Sequence, residues 1–168
     1  MADNIAVTAP LQRFTYDKGM HHLVIPPEVA KRLGVHNEQK SVRVIVQYPE
    51  GEKLHLALIA MPNGEPGAYV MVNAKLRKKY HLDIGDSIRI ELSLDTSEFG
   101  VAVPEVLVEF LAQDEEAYQI FLNLTDGKKR SVIHAVSSAK AIDTQLKRII
   151  KIFDNLKDGI TSPREFLK

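Results

Sequence analysis

The sequence predicts an α+β protein: a closed β-barrel with a pseudo-two-fold axis, followed by a small all-helical domain. Three observations carry that prediction. A strand–helix–turn–strand pattern is written twice, about 47 residues apart, as HLVIPPEVAKRLGV with SVRVIVQ and as YVMVNAKLRKKYHLD with SIRIELS. A unit that short cannot bury its own apolar face, so two copies must close on each other. Alternation then stops after TSEFGVAVP, and helix-length patterns begin at Pro104. Near the end, Ile142, Leu146, Ile149, Phe153 and Leu156 form one stripe at helical spacing.

The two copies agree in pattern more than in identity. Ile25 answers Val72, Val29 answers Leu76, Leu33 answers Tyr80 and Val35 answers Leu82. After a one-residue slip, Val42, Val44 and Val46 answer Ile88, Ile90 and Leu92. Residues 22–47 and 69–93 are therefore expected to be related by a near two-fold rotation.

Each element has a local reason. Sheet-like alternation begins at Leu11, and FTY, the turn Asp17-Lys18-Gly19 and HHLVI read as a hairpin. Pro26-Pro27 ends that strand and suits a first helical turn, where a missing N–H costs nothing. Val29 and Leu33 give the short helix one buried face. The strand from Ser41 to Tyr48 points its three valines one way and Arg43 and Gln47 the other. PEGEK turns the chain back into LHLALIA, where Leu54, Leu56 and Leu58 alternate with an outward His55 and Ala57. MPNGEPG is a loop. Tyr69 to Val72 opens the second copy, Asn73 is the expected N-cap of AKLRKKY, and the last strand runs from Ser87 to Leu94. The domain boundary falls within 95–103: residues 1–95 form the barrel, 96–103 a linker and 104–168 the helical domain. PEVLVEFLAQ and DEEAYQIFLNL read as helices with acidic first turns, GKKRSVIHAVSSAK as a third, and Ala141 to Asp158 as a fourth stopped by Gly159.

Composition limits the function. The 168 residues are 45% apolar and 26% charged, with 22 basic against 22 acidic residues and no net charge. No global field draws the protein to nucleic acid or an anionic membrane, so such a role must rest on a local patch. Cysteine is absent, which removes disulfides and thiolate chemistry. No signal peptide or membrane span is expected, and the chain reads as a cytoplasmic monomer.

With both halves in view, the chain resembles a two-part bacterial architecture. Residues 11–95 are similar to a domain of unknown function with a double-split β-barrel, the class that includes AbrB/MazE-type swapped hairpins. VIPPEVAKRLGV and LRKKYHLDIGDSIRIEL carry the likeness. AbrB-type chains supply one half-barrel each, whereas here both halves are fused. Residues 103–158 resemble the YdeI/OmpD-associated, or bacteriocin-protection, family. Val103-Pro104, Phe121, Lys128-Lys129-Arg130, Ala139-Lys140, Asp143-Thr144 and Arg148-Ile149 carry that likeness. Two departures stand out: a Trp usual in the third helix is replaced near His134, and the Arg that commonly follows the Thr is Gln145. The resemblance implies a link to bacterial stress or antimicrobial-peptide tolerance. It implies no biochemical activity.

Two basic surfaces are candidates for binding. Lys75, Arg77, Lys78 and Lys79 crowd the second copy's short helix, a pattern that could contact phosphates. The simpler account is a solvated helix face that leaves only Leu76 and Tyr80 to pack inward, and the first copy offers only Lys31 and Arg32. Lys140, Lys147 and Lys151 are placed opposite the apolar stripe of the last helix, as a face for a protein or peptide partner. Glu105, Glu109, Asp114, Glu115 and Glu116 load the first two helices without a base, and the simpler account pairs them with the basic helices.

Catalytic and metal chemistry find no constellation. His21 and His22 are adjacent on a strand and point apart, and His36, His55, His81 and His134 lack ligand spacing. There is no GxSxG elbow; Ser131 and His134 stand at a chance spacing, NGEPG lacks GK[ST], and Asp83, Gly85 and Asp86 are turn chemistry. The sequence therefore predicts a non-catalytic binding module without cofactor or metal. An AbrB-like nucleic-acid-binding regulator is the alternative, and an enzyme would need a cleft between the domains.

Overall fold

The computed structural model describes residues 3–15 and 20–168, so the Asp17-Lys18-Gly19 turn lies outside the described residues. The chain divides into two units, Met1–Thr96 and Ser97–Lys168.

The first unit is a closed six-stranded barrel. Its strands are β1 (Ile5–Arg13), β2 (His21–Ile25), β3 (Ser41–Gln47), β4 (Lys53–Ala60), β5 (Ala68–Val72) and β6 (Ser87–Leu94). Around the barrel they run β1-β2-β5-β4-β3-β6, with every neighbouring pair antiparallel. Exchanging β1 with β4, β2 with β5 and β3 with β6 leaves this set of pairings unchanged. Two short helices, α1 (Pro27–Arg32) and α2 (Ala74–Lys79), occupy corresponding places in the halves. Their exits match as well. The N–H of Val35 bonds the carbonyl of Ala30, and that of Leu82 bonds the carbonyl of Arg77. Between them Gly34 and His81 take left-handed φ values of 94° and 51°, as this way of ending a helix requires.

Alternation fills the barrel. Leu23, Ile25, Val44, Val46, Leu58, Val70, Ile90 and Leu92 are all buried, and Val29, Leu33 and Leu76 close the core from the helices. Burial of each large aliphatic side chain is worth about 1.5–3 kcal/mol. The sequence starts the sheet at Leu11, but β1 begins at Ile5. Its first part, Ile5 to Pro10, pairs with β6, and Leu11 to Arg13 pair with β2. Pro10 stands at the changeover, where a residue without a backbone donor is best tolerated.

The second unit contains α3 (Glu105–Gln113), α4 (Glu115–Asn123), α5 (Asp126–Ser137) and α6 (Ile142–Lys157). Asp114 and Thr125 cap α4 and α5 through their side-chain oxygens. Leu107, Ala117, Phe121, Val132, Ile133, Val136, Ile149, Ile152, Phe153 and Leu156 form the core, with Phe99, Val101 and Val103 packed against it. The C-terminal tail is part of this unit: Phe166 is buried, and the Asn155 amide donates to the carbonyls of Glu165 and Phe166 at 3.2 and 3.1 Å. The apolar stripe of α6 departs from expectation at its start. Ile142 is 65% and Leu146 39% exposed, because the core is filled from Ile149 onward.

Candidate functional site

The barrel's basic cluster sits on α2, which Asn73 starts by accepting the Leu76 N–H at 2.8 Å. Arg77, Lys78 and Lys79 occupy its last turn, where cations favour the negative helix end. Lys79 is committed elsewhere. Its ammonium bonds the carboxylates of Glu50, at 2.9 Å, and Glu52, and the Tyr80 hydroxyl also bonds Glu52. These bonds hold the Glu52 carboxyl below its ordinary pKa and raise that of Lys79. Tyr80 stacks on buried Tyr48 with ring centroids 5.6 Å apart, and burial pushes the Tyr48 phenol up to about 12. Lys75 and Lys78 are exposed and Arg77 is half-buried. Arg77, Lys78 and His81 share a depression of about 340 Å³ with Asp83. The Glu50 and Glu52 partners, in the β3–β4 turn, have no spacing signal that the sequence could reveal.

The lysine face of the second unit is also rearranged. Lys147 and Lys151 are exposed on α6, away from its buried residues. Lys140 precedes the Ala141 N-cap, so it belongs to the turn between α5 and α6 and not to the helix face. Two side chains fix that turn. Gln145 donates to the Ala139 carbonyl at 2.8 Å, and the Arg148 guanidinium donates to the Ala135 carbonyl and the Ser138 hydroxyl, both at 2.7 Å. Arg148 therefore serves the fold. Ile142, Leu146 and Ile150, spaced i, i+4, i+8, make an exposed apolar ridge alongside Lys147 and Lys151; Ile150 is 54% exposed.

The acidic helices divide into paired and unpaired groups. Lys157 bonds Asp114 at 3.2 Å and Glu116 at 3.3 Å. Asp114 lies below its ordinary pKa, chiefly through the Ala117 N–H and then through Lys157. This bears out the pairing of acidic and basic helices for those two residues. Glu98, Glu105, Glu109 and Glu115 form no ion pair among the described residues, and Glu115 accepts only the Gln119 amide, at 2.9 Å. Between α3, α4 and the 98–103 segment lies a groove of about 410 Å³. Phe99 meets Phe121 edge-on at 5.3 Å at this groove.

Two histidines differ from a plain surface reading. His22 is 2% exposed, stacked on Phe14 at 3.9 Å and edge-on to Tyr69 at 5.4 Å. Burial lowers its pKa. His55 points outward as expected, but its Nδ1 lies 2.7 Å from the buried Asp95 carboxylate, while the Arg43 guanidinium donates to its carbonyl at 3.0 Å. The sequence gives no sign of this, since Asp95 lies 40 residues away. Among the described residues, no three His, Asp or Glu side chains gather as a metal site. No helix there is long and apolar enough to cross a membrane.

The fold defines a two-part protein, a closed antiparallel barrel followed by a helical unit. The chain belongs to the family described as a domain of unknown function, DUF1905, which matches residues 8–92, just over half of its length. Residues 100–159 match a second family, described as bacteriocin-protection, YdeI or OmpD-associated. No curated protein matches the chain.

Proposed function

We propose that the protein is a non-catalytic binding module whose working face is the open side of α6. The observation that carries this reading is the ridge of Ile142, Leu146 and Ile150 beside Lys147 and Lys151. Single exposed aliphatic residues are ordinary, but a ridge bordered by cations suits a partner that offers acidic side chains around an apolar seat. Lys140, in the clamped α5–α6 turn, extends the basic edge. The barrel acts as the scaffold. The description bacteriocin-protection supports a role in bacterial stress or antimicrobial-peptide tolerance, and we take the protein to act as a cytoplasmic monomer.

The test is capture from cell lysate by three forms of the full chain: wild type, K140E/K147E/K151E and K75E/K78E. All five substituted positions are exposed, so melting temperatures should agree within a few degrees. The reading requires the α6 variant to lose its partner while the α2 variant keeps it. Unchanged capture by the α6 variant would remove this face. The nucleic-acid alternative already has one of its four cations engaged by Glu50 and Glu52. It predicts binding to random-sequence duplex DNA that weakens steeply with salt, and fluorescence anisotropy at low salt decides it.

A further inference from the structure

The groove between α3, α4 and the 98–103 segment is a separate site, sharing no residue with α6. Phe99, Val103, Val108, Leu111, Tyr118 and Phe121 give it an apolar lining. Phe121 is 1% exposed, whereas Val108 is 53% and Tyr118 38% exposed. The floor is thus part of the core, and the walls remain open to water. A volume of about 410 Å³ lies within the range of natural ligand sites.

The charges at its edge have one sign. Glu98 and Glu115 line the groove, and Glu105 and Glu109 stand on the same helix as Val108. No Lys, Arg or His is among the lining residues. Lys157, the base engaged with this end of α4, is held by Asp114 and Glu116. An apolar trough with carboxylates and no cation attracts positive charge and offers low-polarity contact together. The aromatic rings of Phe99 and Tyr118 also favour a cation near their faces.

We infer that this groove docks a cationic amphipathic peptide segment. Its apolar side chains enter between α3 and α4 in the helix-in-groove manner, while its Lys or Arg residues meet Glu98 and Glu115. An acidic or neutral peptide of the same apolar pattern is rejected because the rim carboxylates would be left facing like charge or nothing. The site is independent of the α6 reading, and either can fail alone.

The experiment titrates the full-length protein into a fluorescent synthetic amphipathic helix of Leu and Lys, and into a twin with Glu in place of Lys. Two variants probe the groove: E98Q/E115Q at the rim, and V108S/Y118S at walls already open to solvent. K147E/K151E serves as the α6 control, and circular dichroism confirms that each variant folds. The inference expects the Lys peptide to bind at least tenfold more tightly than its Glu twin, with affinity falling as salt rises. Both groove variants should weaken binding about tenfold or more, and the α6 control should bind like wild type. No binding of the Lys peptide, or equal binding by wild type and both groove variants, would overturn the inference. Loss of binding only in the α6 control would move the peptide to that face and also overturn it.

Discussion

His22 is held between Phe14 and Tyr69 with 2% of its surface exposed, and burial disfavours its charged form. Its folded pKa therefore lies below the unfolded value of about 6.5, so the unfolded chain takes up the proton first as the pH falls. The stability this burial protects is fully present above about pH 6.5 and is lost as the pH drops toward the lowered folded pKa. Melting temperature followed through that window should fall for wild type. It should fall less for His22→Phe, which keeps the stack without a titrating ring. His81 gives a second residue-scale test. It holds a left-handed φ of 51° where the first copy has Gly34, and such a backbone costs a residue with a side chain about 1–2 kcal/mol. His81→Gly should raise stability by about 0.5–1 kcal/mol in urea denaturation, after the entropic cost of glycine. Here the sequence held half of the story: Leu33, Val35, Tyr80 and Leu82 aligned the two helix exits, but nothing in one sequence marks a histidine as left-handed.

At the scale of elements, periodicity was readable wherever packing follows it. The valines of β3, the ends of β6 and the Asn73 cap stand as their spacing requires. The misses share a physical cause, since each depends on a distant partner. The sheet reads as starting at Leu11, yet β1 begins at Ile5 and runs through Pro10, where it changes neighbours. Ile142 and Leu146 continue the stripe of α6 but find no core opposite them. Lys79 reads as a free cation until the β3–β4 turn brings Glu50 and Glu52 to it. Asn155 interrupts the buried side of α6, and its partners are backbone carbonyls in the tail. Asn155→Ala would leave the buried Phe166 carbonyl without this donor, a loss worth about 1–3 kcal/mol. Chemical denaturation should show that loss, and proteolysis after residue 158 should accelerate; an unchanged midpoint would argue that water replaces the amide.

Across the whole molecule, the balance of 22 basic and 22 acidic residues conceals local asymmetry. Charges on α2 and at Asp114, Glu116 and Lys157 are partly satisfied within the fold, whereas Lys147 and Lys151 on α6 and Glu98 and Glu115 at the α3–α4 groove form no ion pair among the described residues. The barrel was legible because its strands alternate in sequence, and its pairings are unchanged by exchanging the halves. The candidate site was less legible, since a binding surface consists of what the core leaves uncovered, and only the folded unit shows that. The central claim is that recognition lies on α6 and not on the barrel's basic helix. Amide hydrogen exchange of the full chain, alone and bound to the partner it captures, tests this most directly. The account predicts slowed exchange between Ile142 and Lys151 with Ala74–Lys79 unchanged. Protection at Ala74–Lys79 with α6 unaffected would contradict it.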